Sequence, residues 1–148
     1  MTATSTIGVI GLGSMGLGMA RSLLRAGLPV WGYDIRDEVR RAFAAEGGLP
    51  VASLGDQAAG SDVLFIVVVN AQQTEALLFG EQGIAARLRP GTVVVACATI
   101  AADAARRIAK RLAEHQVAML DAPISGGAVR AAAGELTIMA SGPAAAIC

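Results

Sequence analysis

The sequence predicts an α/β fold on a doubly wound, mainly parallel sheet, and three observations predict it. Short apolar, β-branched runs alternate with amphipathic stretches of helical spacing along the whole chain. The run at residues 62–69, Asp-Val-Leu-Phe-Ile-Val-Val-Val, is nearly all apolar, as a strand buried on both faces of a parallel sheet would be. A glycine turn, Gly11-Leu12-Gly13-Ser14-Met15-Gly16, joins the first apolar run to the first amphipathic stretch. Right-handed crossovers follow as the expected connections.

Taken in order, residues 7–10 predict a first strand. After the glycine turn, Met15, Met19 and Leu23 recur at helical spacing and mark a buried stripe, and Gly16 and Ala20 give a small-residue face. Gly27 predicts the helix stop, with Pro29 just beyond it. Residues 29–33 predict the second strand, ending at Asp34. A second helix opens at residues 35–38 with acids in its first turn and runs out at Gly47 and Gly48. Residues 49–52 predict a short strand and 53–59 a short helix. The strand at 62–69 ends at Asn70, and residues 72–79 are helical in pattern.

Residues 91–97 predict another buried strand, ending at Ala98 and Thr99. Residues 101–114 form an amphipathic helix with Ala104, Ala105, Ile108 and Leu112 inward and Arg106, Arg107, Lys110 and Arg111 outward. Residues 117–121 predict a strand. Ala122 precedes Pro123 and should be extended. Residues 124–127 read as a loop, 128–133 as a helical turn and 135–140 as a last strand.

Composition sets the outer limits. A chain of 148 residues is the size of one domain, and 54% hydrophobic with 16% charged residues gives enough material for a core. The formal net charge of +0 offers nothing to a nucleic acid or an anionic membrane. Two cysteines, Cys97 and Cys148, have neither a disulfide framework nor metal-ligand spacing. Residues 1–6 lack the basic and apolar regions of a signal peptide, and the longest apolar run is far short of a bilayer span. A soluble cytoplasmic protein is the expectation.

The glycine turn carries the chemistry. Gly11 permits a tight turn off the strand, and Gly13, lacking a side chain, lets a pyrophosphate approach the backbone. Gly16 lets the helix pack closely on the strand. The helix N-terminus then offers free N–H groups to phosphates. Asp34 ends the second strand 18 positions after Gly16, near the roughly 20-residue spacing of a ribose-binding acid. These spacings predict a Rossmann-type dinucleotide-binding corner, with a purely structural glycine turn as the alternative.

A carboxylate at position 34 favours NAD over NADP, although Arg36 two residues on could meet a 2′-phosphate. FAD and S-adenosylmethionine are the other adenosyl ligands such a turn admits. Val69, Asn70 and Thr99 lie at the ends of central strands, where ligands of open α/β sheets sit. They face the cofactor, or else they cap the helices that follow. Ser125, Gly126 and Gly127 present a hydroxyl and unobstructed N–H groups suited to a carboxylate, or form an ordinary turn. Asp121 reads as a structural hydrogen-bonder, His115 as a solvent-side residue past a helix end, and Cys97 as a small core residue.

With these motifs in hand, the sequence resembles the β-hydroxyacid dehydrogenase family, the relatives of 3-hydroxyisobutyrate dehydrogenase. The N-terminal signature Gly-Leu-Gly-x-Met-Gly-x-x-Met-Ala is met in full at residues 11–20. The second motif, Asp-Ala-Pro-Val-Ser-Gly-Gly, stands at residues 121–127 with Ile124 in place of Val. The segments Cys-Ala-Thr-Ile and Pro-Ile-Ser-Gly-Gly are most similar to the L-threonate dehydrogenase branch.

The resemblance implies an NAD-dependent oxidoreductase of small hydroxy acids, L-threonate-like or 3-hydroxyisobutyrate-like. In it, residues 11–16 bind the cofactor, Thr99 lies near the nicotinamide, and Ser125, Gly126 and Gly127 hold the substrate carboxylate. The family's catalytic lysine belongs to a Gly-x-x-x-Lys-x-x-Asn segment of an all-helical C-terminal domain, through which family members homo-oligomerise. That segment is expected downstream of Cys148. The only lysine here, Lys110, matches no such motif.

Residues 1–148 are therefore expected to be the dinucleotide-binding domain, with 141–148 starting the connection to the absent helical domain. An apolar patch is expected to be left exposed near residues 123–148. The alternatives are an NAD-binding module without activity of its own, and an NADPH-dependent reductase of the tartronate semialdehyde or imine type.

Overall fold

In the computed structural model, which describes residues 5–147, six parallel strands form one sheet. They are β1 (Ile7–Ile10), β2 (Val30–Tyr33), β3 (Leu49–Pro50), β4 (Val63–Ile66), β5 (Val93–Ala96) and β6 (Ala118–Asp121). Their spatial order is β3-β2-β1-β4-β5-β6. The chain moves outward from β1 through β2 to β3, then returns to β4 on the other side of β1. Pairing is in register from Ile7 opposite both Val30 and Val63 through to Val93 opposite Ala118. The doubly wound, parallel expectation holds. The glycine turn falls at the reversal point of the strand order, where such sheets open a crevice.

Helices cover both faces. They are α1 (Ser14–Arg25), α2 (Asp37–Ala45), α3 (Gly55–Ala59), α4 (Ala71–Phe79), α5 (Ala102–Ala113), α6 (Gly127–Ala133) and α7 (Ala144–Ile147). On one face Leu64, Ile66, Val94 and Ala96 pack with Ala105, Ile108 and Leu112 of α5 and Leu78 of α4. The inward stripe read for α5 is the buried one. On the other face Val9, Val30, Ala20 and Phe43 form one cluster, and Met19, Val95, Leu120 and Ala131 another.

The stop read at Gly27 is a left-handed residue at φ 81°, and Leu28 N–H reaches back to the Leu23 carbonyl. The same closure recurs at Gly47, with Gly48 N–H on the Phe43 carbonyl. Both are Schellman endings, which satisfy carbonyls a bare helix end would leave unpaired.

Several elements differ from the sequence expectation. The strand read over residues 62–69 ends at Ile66. Its buried side chains alternate, because Leu64 and Ile66 meet the α4–α5 layer while Val63 and Phe65 are only half covered. Residues 67–69 instead line the crevice. The strand at 49–52 is two residues long. The loop at 124–127 is a two-residue strand, β7 (Ile124–Ser125), followed by α6. The last strand, β8 (Thr137–Ile138), pairs antiparallel with β7 in a separate small sheet and adds nothing to the main one.

Val129, Ile138, Met139 and Ile147 are exposed, in the segment expected to carry an apolar patch. The N-terminal polar residues 1–4 and Cys148 lie outside the described residues.

The single tryptophan gives this core a reporter. Trp31 lies against Gly8, where an added Cβ would stand 2.2 Å from the ring, and its Nε1–H donates to Ser61 Oγ at 2.9 Å. Both residues are buried. Ser61→Ala strands that indole N–H and is expected to cost roughly 1–3 kcal/mol. Urea unfolding followed by Trp31 fluorescence measures it, and an unchanged midpoint would contradict the assignment.

Candidate active site: a crevice at the strand reversal

Every candidate site residue that the sequence singled out follows the C-terminal end of a parallel strand. Residues 11–13 follow β1, Asp34 follows β2, Val69 and Asn70 follow β4, Thr99 follows β5, and Ser125 follows β6. A cavity of about 430 Å³ opens among Gly11, Gly13, Asp34, Ile35, Arg36, Val67, Val69 and Gln73.

The glycines of the turn are held by different constraints. Gly11 has φ 95°, and a Cβ there would stand 2.1 Å from the Val67 carbonyl oxygen. Its N–H donates to the Tyr33 carbonyl at 2.8 Å, tying the turn to β2. Gly13 has an ordinary extended conformation and open space where a side chain would be. Gly16 differs in detail from the sequence reading. Its missing Cβ clears the Gly11 carbonyl oxygen, 1.8 Å away, so it packs the helix on the turn itself more than on a strand.

Leu12 is a core residue whose N–H turns to Asp34, while Ser14 is exposed and Met15 half-buried at the start of α1. Gly13 caps α1 without a side chain, and no acid stands in the first turn. The first N–H groups of α1 are left to an outside acceptor, which suits a phosphate.

Asp34 is 7% exposed and gathers four donors. Leu12 N–H donates to Oδ2 at 2.9 Å, and Arg36 N–H and Nε donate to Oδ1 at 3.0 and 2.9 Å. Arg36 Nη2 reaches Oδ2 at 3.2 Å. Burial works to raise the carboxyl pKa, but the Arg36 and Leu12 donors and the Arg36 charge outweigh it and hold Asp34 below its ordinary value.

A depressed folded-state pKa stabilises the fold above the unfolded value, about 3.9, and this is lost as pH falls through the folded value. Wild type is thus expected to lose stability relative to Asp34→Asn only below about pH 4. Denaturation midpoints across that range check it, and a gap that stays constant with pH would contradict it.

At the other strand ends, Asn70 caps α4, its Oδ1 accepting from Gln73 N–H at 2.9 Å. That carbonyl is committed to the helix. Val69, 79% exposed, projects at the crevice mouth, its N–H on Gln73 Oε1. Thr99 is exposed and does not cap α5, whose N-cap is Ala101 without a side-chain bond. Ser125, Gly126 and Gly127 are exposed, and both glycines have positive φ.

The 125–127 segment is anchored by a contact the sequence reading missed. α6 packs on α1 with Gly18 at the closest approach, where a Cβ would lie 2.7 Å from Ala132 N, and Ser22 Oγ donates to the Ala131 carbonyl. The Gly16-Leu17-Gly18 spacing was the available signal.

Asp121 differs from its structural reading. Its backbone pairs with Ser141, but its Oδ1 is buried without a hydrogen-bond partner among the described residues, and burial pushes the carboxyl up. Cys97 is a core residue whose thiol burial pushes up to about 12, so it is no thiolate at neutral pH. His115 is half-buried beyond α5, near the start of β6 and so at the sheet edge opposite the crevice. Lys110 is exposed on α5.

The comparisons bear on this geometry directly. The sequence family described as the NAD binding domain of 6-phosphogluconate dehydrogenase matches residues 6–148. The chain belongs to that NAD-binding family. It does so in the branch shared with 3-hydroxyisobutyrate dehydrogenases.

An L-threonate dehydrogenase of Cupriavidus necator is 56% identical over 138 residues, 93% of this chain and 46% of that protein. An NAD-dependent L-serine dehydrogenase of Pseudomonas aeruginosa is 40% identical over 141 residues, 95% of this chain and 47% of that one. The crystal structure of a 3-hydroxyisobutyrate dehydrogenase from Salmonella typhimurium superposes with a TM-score of 0.92 at 46% identity, covering 97% of this chain and 50% of that chain. The chain spans about half the length of these relatives. Among the described residues, no helix of this NAD-binding family member is long and apolar enough to cross a membrane.

Proposed function

We propose that the chain binds NAD at the crevice and is the cofactor half of a dehydrogenase acting on small hydroxy acids of the L-threonate kind. The observation that carries the NAD reading is the buried Asp34 carboxylate on the rim of a cavity whose floor is the side-chain-free face of Gly13. An anionic acceptor at that rim takes a ribose hydroxyl and repels a 2′-phosphate.

The residues present fit the cofactor. Gly13 and the uncapped first turn of α1, residues Ser14 to Gly16, would receive the pyrophosphate, with Leu12 N–H holding Asp34 in place for the ribose. Val69 and the backbone at Asn70 would wall the adenosine side, and the exposed Thr99 hydroxyl would face the nicotinamide end. When bound, NAD supplies a hydride acceptor. Ser125, Gly126 and Gly127 would orient the substrate carboxylate through a hydroxyl and exposed N–H groups.

Proton removal from the substrate hydroxyl needs a base in reach. Lys110 is on an outer helix face and His115 is at the opposite edge; the family resemblance assigns the base to the lysine of a Gly-x-x-x-Lys-x-x-Asn segment outside residues 1–148, in the helical domain that would also complete the substrate pocket. Residues 141–148 would lead toward it.

The L-threonate reading is supported by the Cys-Ala-Thr-Ile and Pro-Ile-Ser-Gly-Gly segments and by the names of several relatives 47–56% identical. Titration of the 148-residue protein with NADH and NADPH tests the cofactor, with tighter NADH binding expected. Tighter NADPH would move the reading to a reductase. With NAD and L-threonate, the same protein is expected to form no NADH, and turnover would overturn the placement of the base.

A further inference from the structure

The arginines of this chain are almost all committed. Eight pair with an aspartate or a glutamate. Arg25 bonds Ser22 Oγ at 3.0 Å, and Arg111 lies over the Phe79 ring at 3.9 Å. Among the described residues, Arg130 alone has no ion pair, side-chain hydrogen bond or aromatic ring to hold its guanidinium. An acid stands close in the chain: Glu135 N–H donates to the Arg130 carbonyl at 2.8 Å, yet the two side chains form no ion pair.

Arg130 stands four residues after Gly126, so the two share one face at the start of α6. Helical side chains lean toward the N-terminus of their helix, which here is the Ser125-Gly126-Gly127 segment. The packing agrees. A Cβ at Gly126 would lie 2.9 Å from Arg130 Cδ and 3.1 Å from Arg130 Cβ, with Leu136 Cδ2 at 3.3 Å. The arginine stem therefore lies along the bare face of Gly126. The backbone beneath it is fixed, since Ser22 Oγ of α1 donates to the Ala131 carbonyl at 3.0 Å. Arg130 itself is exposed.

We propose that Arg130 is a specificity-determining residue for the substrate: its guanidinium supplies the positive charge that selects a carboxylate over a neutral polyol at Ser125, Gly126 and Gly127. The inference rests on the substrate reading above and adds to it a charged group. The Ser125 hydroxyl and the N–H groups of the two glycines are neutral donors, which serve a hydroxyl oxygen as well as a carboxylate oxygen. A guanidinium adds formal charge and a two-pronged donor that matches both carboxylate oxygens. No acid among the described residues holds that charge before the ligand arrives.

The test follows amide chemical shifts of the isotope-labelled 148-residue protein, with NAD present, as L-threonate or L-threitol is added. L-threitol keeps the hydroxyls and lacks the carboxylate. Wild type is expected to show saturable shifts at residues 125–127 and to bind L-threonate about ten-fold or more tighter than L-threitol. Arg130→Gln should lose that margin by weakening L-threonate and leaving L-threitol as it was. Arg130→Lys, which keeps the charge and loses the fork, should recover at least part of it. Because the side chain is exposed, thermal unfolding of both variants is expected to match wild type.

Equal binding of the two compounds by wild type, or an undiminished margin in Arg130→Gln, would overturn the inference and leave Arg130 a solvated cation. So would an equal loss of margin in Lys110→Gln, which removes a charge from the outer face of α5, or no recovery in Arg130→Lys. Wild type that shifts at residues 125–127 with neither compound would overturn the substrate reading and the inference with it, a result distinct from a loss confined to the Arg130 variants. NAD binding is read separately at residues 11–16, where no Arg130 variant should alter the shifts.

Discussion

Gly13→Ala is expected to leave the fold unchanged and to weaken NADH binding at least about ten-fold. Two facts separate the effects. The backbone at Gly13 has φ −69° and ψ −170°, which alanine adopts without strain, and a Cβ there meets no atom within 4 Å. Stability has no reason to fall. The open space is the cavity itself, however, and the methyl stands where a pyrophosphate must come close to accept N–H bonds from the start of α1. Losing one charge-assisted bond of roughly 1.5–3 kcal/mol gives a ten-fold effect or more. Thermal unfolding and NADH titration of the same sample check both halves. Undiminished affinity would mean that phosphate does not approach at Gly13.

Gly11→Ala is expected to do the reverse and damage the fold first. Here φ is 95°, a conformation costing an L-residue about 1–2 kcal/mol. The added methyl would also lie 2.1 Å from the Val67 carbonyl oxygen. That oxygen is backbone and cannot swing away, and Val67 N–H is bound to the Ile10 carbonyl at 2.8 Å. Relief requires β1 and β4 to part at the crevice. A combined cost of roughly 3 kcal/mol or more corresponds to a drop in Tm of about 6 °C or more for a domain of this size. Trp31 fluorescence reports it, and a change of about 1 °C or less would show that the turn relaxes freely.

The contrast between these glycines explains what could be read in advance. Gly11, Gly13 and Asp34 belong to one local unit of strand, turn, helix and strand, whose spacing is set by covalent geometry and the width of the sheet. Such a unit is legible from a single sequence. The α5 stripe is legible for the same reason, since it depends only on helical period. Residues 67–69 were misread because a run of valines looks alike in a buried strand and in a crevice wall. Only the neighbours β1 and β5 decide where pairing stops.

In the β7–α6–β8 segment the helical turn read at 128–133 stands as α6, but the pairing of β7 with β8 was not legible, because the segment's partner is α1, more than a hundred residues earlier. The Gly18 and Ser22 contacts that hold it are tertiary and have no local period. The orphaned Asp121 oxygen likewise depends on what Ser141 and α5 bury around it. The bonds of Arg36 were half legible: its nearness to Asp34 was in the sequence, but the four donors gathered on the carboxylate needed coordinates.

The central claim is that NAD occupies the crevice where the strand order reverses. Amide chemical shifts of the isotope-labelled protein, followed as NAD is added, test it most directly. The account predicts saturable shifts at residues 11–16, 34–36 and 67–70, abolished by Gly13→Ala in a protein that remains folded. Shifts confined to Ser53, Leu54, Gln82 and Arg87 of the adjoining cavity, or shifts at the crevice that survive Gly13→Ala at full strength, would contradict it.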